Sequence, residues 1–272
     1  MQNYPLNLHA FLASFWKHRQ LITTLVKREI SSRYRGSILG PIWSVLNPVF
    51  MLAVYTFVFS VVFQARWSTV EESRAMFALV LFAGLLIFNF FADCVTRAPT
   101  LIVENANYVK KVIFPLEILP WVSLGTAFFN AFISFLVWVL FSISFVGVPP
   151  ITIFLFPLIL IPLILFIMGL SWLLASLGVY LRDITQFVSI VTMTLMFLTP
   201  IFYPLQAIPT KYHFFILSNP LAFIVEQARA VMIFGKPLNW SGYLMLTCSV
   251  FLFAWSSFAW FQKTRKGFAD VL

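Results

Sequence analysis

Few residues in this chain have the chemistry of a catalyst. Its 272 residues include nine Asp or Glu, three His and two Cys. The acids are scattered, and no HExxH, GxSxG or GxxxxGK[ST] pattern occurs. Neighbouring positions therefore supply no metal-held water, no elbow-mounted serine and no phosphate loop. Cys94 and Cys248 lack CxxC spacing and sit in or beside apolar stretches. They read as small buried apolar residues rather than a disulfide or a zinc site. Two charged pairs have helical spacing, Asp93 with Arg97 and Glu226 with Arg229, so each pair can meet on one helix face. Ion-coupled carriers need carboxylates, His or broken helices inside their spans. This chain offers little of that, so uphill movement of a solute would draw its energy from elsewhere. Catalysis by this chain alone is not expected.

The elements that hold these residues belong to a membrane. Hydrophobic residues make up 61% of the chain and charged residues 10%, against about 25% charged in a soluble domain. Aromatics reach 18%, with 33 Phe, and the net charge is +9. A soluble enzyme, a nucleic-acid-binding domain and a disordered chain are excluded. Uncharged runs cover 36–65, 75–92, 118–181, 184–210 and 237–262. One crossing takes about 20 residues, so 118–181 holds two spans, divided at Gly147-Val148-Pro149-Pro150. Phe214–Val225 is apolar, but at about 1.5 Å per residue it is too short to cross, and Asn219-Pro220 interrupts it. It reads as part of a re-entrant hairpin over about 203–236, with an amphipathic surface helix as the alternative. The fold class is all-α integral membrane: six transmembrane helices, an amphipathic interface helix, a short cytoplasmic helix and an external re-entrant hairpin. Residues 1–35 form the cytoplasmic interface segment, 36–262 the six-span domain and 263–272 a cytoplasmic tail. Lys and Arg set the orientation, because 13 of the 18 fall on the side that holds both termini, which is then cytoplasmic. The charged segment up to Arg35 precedes the first apolar run, so no cleaved leader is expected.

Five segments carry more than hydropathy, one of them Ser218-Asn219-Pro220-Leu221 with Glu226 and Arg229 downstream. In 8–35, Leu8, Phe11, Leu12, Phe15, Ile22 and Val26 share one helical face, with Lys17, Lys27 and Arg28 opposite. That pattern predicts an amphipathic helix on the cytoplasmic leaflet, either a simple lipid anchor or part of a partner's dock. In 97–111, Pro99 opens a short helix. Leu101, Ile102 and Val103 precede Glu104, Asn105 and Asn107, and Lys110-Lys111 follow. A short stiff helix there can pass a partner's movement to the flanking spans. Arg182-Asp183 makes a tight charged turn, and Pro200 and Pro204 stop the fifth span and begin the hairpin.

Together these segments resemble the transmembrane subunit of ABC-2 type exporters, and within it the polysaccharide-export permeases of O-antigen, capsule and teichoic-acid systems. The opening Lys27-Arg28-Glu29-Ile30-Ser31-Ser32-Arg33-Tyr34-Arg35-Gly36-Ser37-Ile38-Leu39-Gly40, with Trp43-Ser44, Asn47-Pro48 and Tyr55-Thr56-Phe57-Val58-Phe59, carries the resemblance. Arg182-Asp183-Ile184, Pro200 with Tyr203, and Asn219-Pro220 with Glu226 and Arg229 continue it. The opening looks most like O-antigen exporters, with capsule permeases close behind. A permease of this architecture that moves small lipids or drugs is the further alternative.

The resemblance implies a homodimer in the bacterial inner membrane, two copies of a separate cytoplasmic ATPase, and an undecaprenyl-diphosphate-linked polysaccharide as cargo. ATP and Mg would be bound by that ATPase; no cofactor, metal or nucleic acid is expected on this chain. Thr100, Leu101, Val103, Glu104, Asn105, Tyr108, Lys110, Lys111, Arg182 and Asp183 would couple to the ATPase, with the coupling helix at about 99–111. The first and fifth spans would line the channel. Aromatic faces pack against the C–H faces of sugars without demanding one sequence, and Tyr55, Phe59, Phe63, Phe197, Phe202 and Tyr203 are the candidate rings. The lipid diphosphate calls for cations near the inner leaflet, and Arg33, Arg35 and Arg97 are the candidates.

Overall fold

The structure, a computed structural model, describes residues 8–33, 35, 40–58, 74–109 and 114–272. Every regular element among them is helical. Two short helices come first among the described residues, α1 (Leu8–Lys17) and α2 (Arg19–Arg33). The sequence predicts one amphipathic helix here; the break falls at His18. Its apolar face meets protein as well as any lipid. Phe11 is buried, with its ring 5.6 Å from both Trp172 and Phe258 in edge-on contacts. Ile22 and Leu25 pack with Ile118 and Val122. Val26 lies over Gly125, where a Cβ would come within 2.7 Å of its methyl group.

Helix α3 (Trp43–Tyr55) follows a turn at Gly40, whose φ of +50° suits glycine. Helix α4 (Arg74–Val95) is the centre of the molecule, with every residue from 77 to 88 buried. Two further short helices, α5 (Leu101–Glu104) and α6 (Ala106–Val109), lead to the long α7 (Leu119–Phe145). The predicted break between the third and fourth spans is present: Gly147 has φ +133°, and Pro149-Pro150 leads into α8 (Phe156–Tyr180). Helix α9 (Ile184–Leu198) is shorter. Irregular chain and α10 (His213–Leu217) lead to α11 (Pro220–Met232). Asn219 caps α11 by accepting the Leu221 N–H at 3.0 Å, and Pro220 takes the first helical position. Helix α12 (Trp240–Thr264), capped by Asn239, and the terminal turn α13 (Phe268–Val271) complete the chain.

Among the described residues, four helical stretches are long and apolar enough to cross a membrane: Ala75–Glu104, Leu116–Phe145, Ile151–Tyr180 and Trp240–Val271. Trp43–Val58 and Ile184–Leu198 are apolar but shorter. Helices α8 and α12 pack closely. Gly169 lets the Phe253 ring approach so closely that a Cβ would sit 2.7 Å from it. Small residues of this kind let membrane helices meet where no hydrophobic drive separates protein from lipid.

Candidate functional site

One polar cluster lies at the end of the bundle that holds α2. Thr96 still closes a bond to the Ala92 carbonyl, but Arg97 leaves the helix and pairs with Glu29 of α2. The expected Asp93–Arg97 pair is therefore absent. Helix α4 ends at Val95, which breaks the i,i+4 register, and Asp93 instead meets Asn130. A second link joins α2 to the same segment, where Arg28 donates to the Tyr108 hydroxyl at 3.0 Å. Tyr108 stacks on Phe114 at 4.2 Å. Arg265 donates to the Phe114 carbonyl at 2.7 Å and pairs with Glu117. His18 lies nearby. Burial pushes its imidazole below the usual range, opposed by Glu117 and reinforced by Lys17 and Arg265.

The 98–109 segment is three short turns, not one stiff helix. Asn105 interrupts it with φ −109° and ψ 28°, while its amide donates to the Leu101 carbonyl at 2.8 Å. Of the residues assigned to coupling, Leu101 is buried and anchors the segment. Thr100 donates to the Arg97 carbonyl at 3.1 Å, and Asn105 and Tyr108 are half-buried. Val103, Glu104, Arg182 and Asp183 are exposed. Lys110 and Lys111 lie outside the described residues. The segment is seated on α8 at Gly178, where a Cβ would come within 1.9 Å of the Pro99 carbonyl oxygen.

Three of the candidate channel rings share one patch. Tyr55 lies 6.3 Å from Phe202, and Phe197 5.8 Å from Phe202. Tyr203 donates its hydroxyl to the Phe197 carbonyl at 2.7 Å, which ties it to the same turn. Phe59 and Phe63 lie outside the described residues. Of the candidate cations, Arg33 and Arg35 are exposed, whereas Arg97 is already neutralised by Glu29.

At the far side of α4, Arg229 organises the chain that follows α9. The sequence anticipates its pairing with Glu226, and the two stand 3.0 Å apart. The sequence does not reveal the rest. Fully buried, the guanidinium also donates to the carbonyls of Val80 (3.0 Å), Pro200 (2.5 Å) and Ile201 (2.7 Å). These bonds join α11 to the middle of α4 and to the turn after α9. Asn219 adds a bond to the Thr199 hydroxyl at 2.9 Å.

Between α3, α4 and α7 lies a cavity of about 570 Å³ that the sequence reading passed over. Asn47, Asn89, Asp93, Asn130 and Ser134 supply its polar wall, and Arg33 also lines it. Asn89 and Asp93, four residues apart inside an apolar run, were the available signal, as were Asn130 and Ser134.

Several apolar helices packed round a central one, with polar links at the α2 end, define a multi-pass helical membrane protein without a nucleotide-binding motif in its sequence. The chain belongs to the ABC-2 type transporter family, whose model matches residues 20–233. It is similar to the O-antigen export system permease protein RfbA of Klebsiella pneumoniae, with 27% identity over 254 residues, 93% of this chain and 95% of that protein. The permease of the same name from Myxococcus xanthus is 26% identical over 259 residues, covering 94% of this chain and 97% of the relative.

Proposed function

We propose that this chain is the transmembrane subunit of an ATP-driven exporter that carries O-antigen polysaccharide, linked to undecaprenyl diphosphate, across the bacterial inner membrane. One observation carries the reading: similarity over more than nine-tenths of the chain to permeases named for O-antigen export. In this reading two copies of the chain enclose the channel, and two copies of a cytoplasmic ATPase bind ATP and Mg. Six spans cross the bilayer, the four long helices together with α3 and α9, and both termini are cytoplasmic. The 98–109 segment and the Arg182-Asp183 turn face the ATPase, and α2 flanks it. The region from Tyr203 to Lys236 gates the outer side.

The three aromatic rings that meet at Tyr55, Phe202 and Phe197 support a sugar path along α3 and the end of α9. Rings exposed along such a path hold a sugar loosely, so a long polymer can slide. Deleting the gene in a native strain with no second exporter tests the reading. Surface polymer should disappear while lipid-linked glycan accumulates at the inner membrane. Normal surface polymer would overturn it.

A further inference from the structure

Helix α4 is the most enclosed of the four long apolar helices, yet two of its residues are exposed: Asn89 and Asp93. From 77 to 95 every other residue is buried or nearly so. Both face the 570 Å³ cavity, and both are polar. Four residues apart, they lie one above the other on one face. Helix α7 answers with Asn130 and Ser134, also four apart, and α3 with Asn47. Asp93 engages Asn130. Among the described residues, no side-chain hydrogen bond holds Asn47 or Asn89. Apolar rings close the remaining walls, with Trp43 and Tyr55 from α3 and Phe82 and Phe90 from α4.

A neighbouring hollow of similar volume shows what an ordinary crevice in this molecule looks like. It is lined by Phe132, Phe135, Pro149 and Phe154 among others, and all its described lining side chains are apolar. Polar groups inside a membrane protein face a cavity or a partner because lipid cannot satisfy them. The chemistry of this set is that of a hydroxyl-rich ring. Amides both donate and accept, a carboxylate accepts from adjacent hydroxyls, and aromatic faces cover the ring's C–H surface. The volume falls within the usual range of small-molecule sites, about 300–1,000 Å³. An anionic headgroup alone does not suit it, because Asp93 stands in its wall. Arg33 is the one Lys or Arg among the described lining residues, and its charge acts on Asp93. The pocket therefore offers a cation, Arg33, to negative charge, and Asp93, Asn89 and the other amides to hydroxyls.

We propose that this pocket, built within a single protomer, binds the first sugar of the lipid-linked glycan, with the diphosphate to which that sugar is joined held at Arg33. The inference rests on the export reading above and deepens it. Recognition is confined to the one sugar every cargo molecule carries at its lipid end, and the rest of the polymer passes unread.

The test uses the permease–ATPase complex in phosphatidylcholine nanodiscs and two probes, farnesyl diphosphate and farnesyl diphosphate bearing one hexose. The wild type should bind the hexose-bearing probe about tenfold or more tightly. Asp93→Asn and Asn89→Leu should bring the ratio of the two affinities towards one. Arg33→Gln should weaken both probes and keep the ratio. Met51→Trp fills the cavity from α3 without touching its polar groups, and should lower the ratio even where an α4 variant fails to assemble. A ratio of one in the wild type overturns the proposal. So does a ratio unchanged in the α4 and Met51 variants, absence of binding by either probe, or displacement of both equally by phosphatidylglycerol. The deletion strain separates the two failures. If lipid-linked glycan accumulates there while the ratio is one, export stands and this site falls.

Discussion

The Arg229 guanidinium occupies the space that a Cβ on Gly84 would need: such an atom would lie 2.8 Å from Nη2. The absence of a side chain at Gly84 lets a charged group lie flat on the central helix. From there it reaches the Val80 carbonyl, one helical turn earlier, and both carbonyls of the turn at Pro200 and Ile201. A buried charge is stable only when its hydrogen bonds are filled. Here three carbonyls and Glu226 fill them.

Removing that charge should be expensive. Arg229→Met strips donors from three carbonyls and from Glu226, with an expected cost on the order of 3 kcal/mol. Gly84→Ala should cost about 1–3 kcal/mol by displacing the guanidinium. Thermal unfolding in detergent checks both. Because the two substitutions damage one contact, their combined effect should fall short of the sum.

The link between α2 and the following segment has two strands that can be cut separately. Glu29→Gln and Arg97→Gln should each lower stability, and a double-mutant cycle should return a coupling of about 0.5–1 kcal/mol, since both side chains are part-exposed. Tyr108→Phe keeps the stack on Phe114 but removes the acceptor for Arg28. It should reduce export per ATP hydrolysed while leaving membrane insertion intact. Transport assays in proteoliposomes, with ATP consumption measured in parallel, decide this.

Gly178→Ala should separate folding from transport. The added carbon would meet the Pro99 carbonyl, which is backbone and cannot swing aside. Turn 98–100 must lift off α8. The expected result is a protein that inserts in normal amount yet exports less than a tenth of the wild-type flux, read from surface polymer in complemented deletion cells.

Acid should loosen the N-terminal helices. Burial lowers the His18 pKa in the folded protein below its usual value near 6.5. The unfolded chain therefore binds a proton first as pH falls. The contribution of neutral His18 is complete above about 6.5 and is lost as pH drops towards the lower folded value. Protease cleavage between α1 and α2 should rise between pH 7.5 and 5.5, and His18→Gln should flatten that rise.

Hydropathy and punctuation located most of the elements, and local chemistry explains why. Gly147 and Pro149-Pro150 end α7 where expected, and Asn219-Pro220 proves to be the cap and first residue of a helix. Glu226 and Arg229 were legible as a pair because three residues on a helix bring two side chains together. Arg97 does not meet Asp93, for the complementary reason. Its partner Glu29 is far away in sequence, and the helix that would have carried the local pairing had already ended. The stiff helix expected over 99–111 breaks at Asn105, whose side chain competes for the backbone. Asn89 and Asp93 were visible as polar residues in an apolar run. What they face depends on where α3 and α7 pack, which spacing along one helix does not encode.

The seat of Pro99 on Gly178 also sets how faithfully movement passes through the molecule. A joint made through long side chains has play in it, because rotamers absorb the first fraction of any push. At this joint one backbone rests on another, with no torsion between them to take up slack. A displacement applied to the turn at 98–100 is therefore delivered to α8 at full amplitude, as through a hard stop rather than a spring.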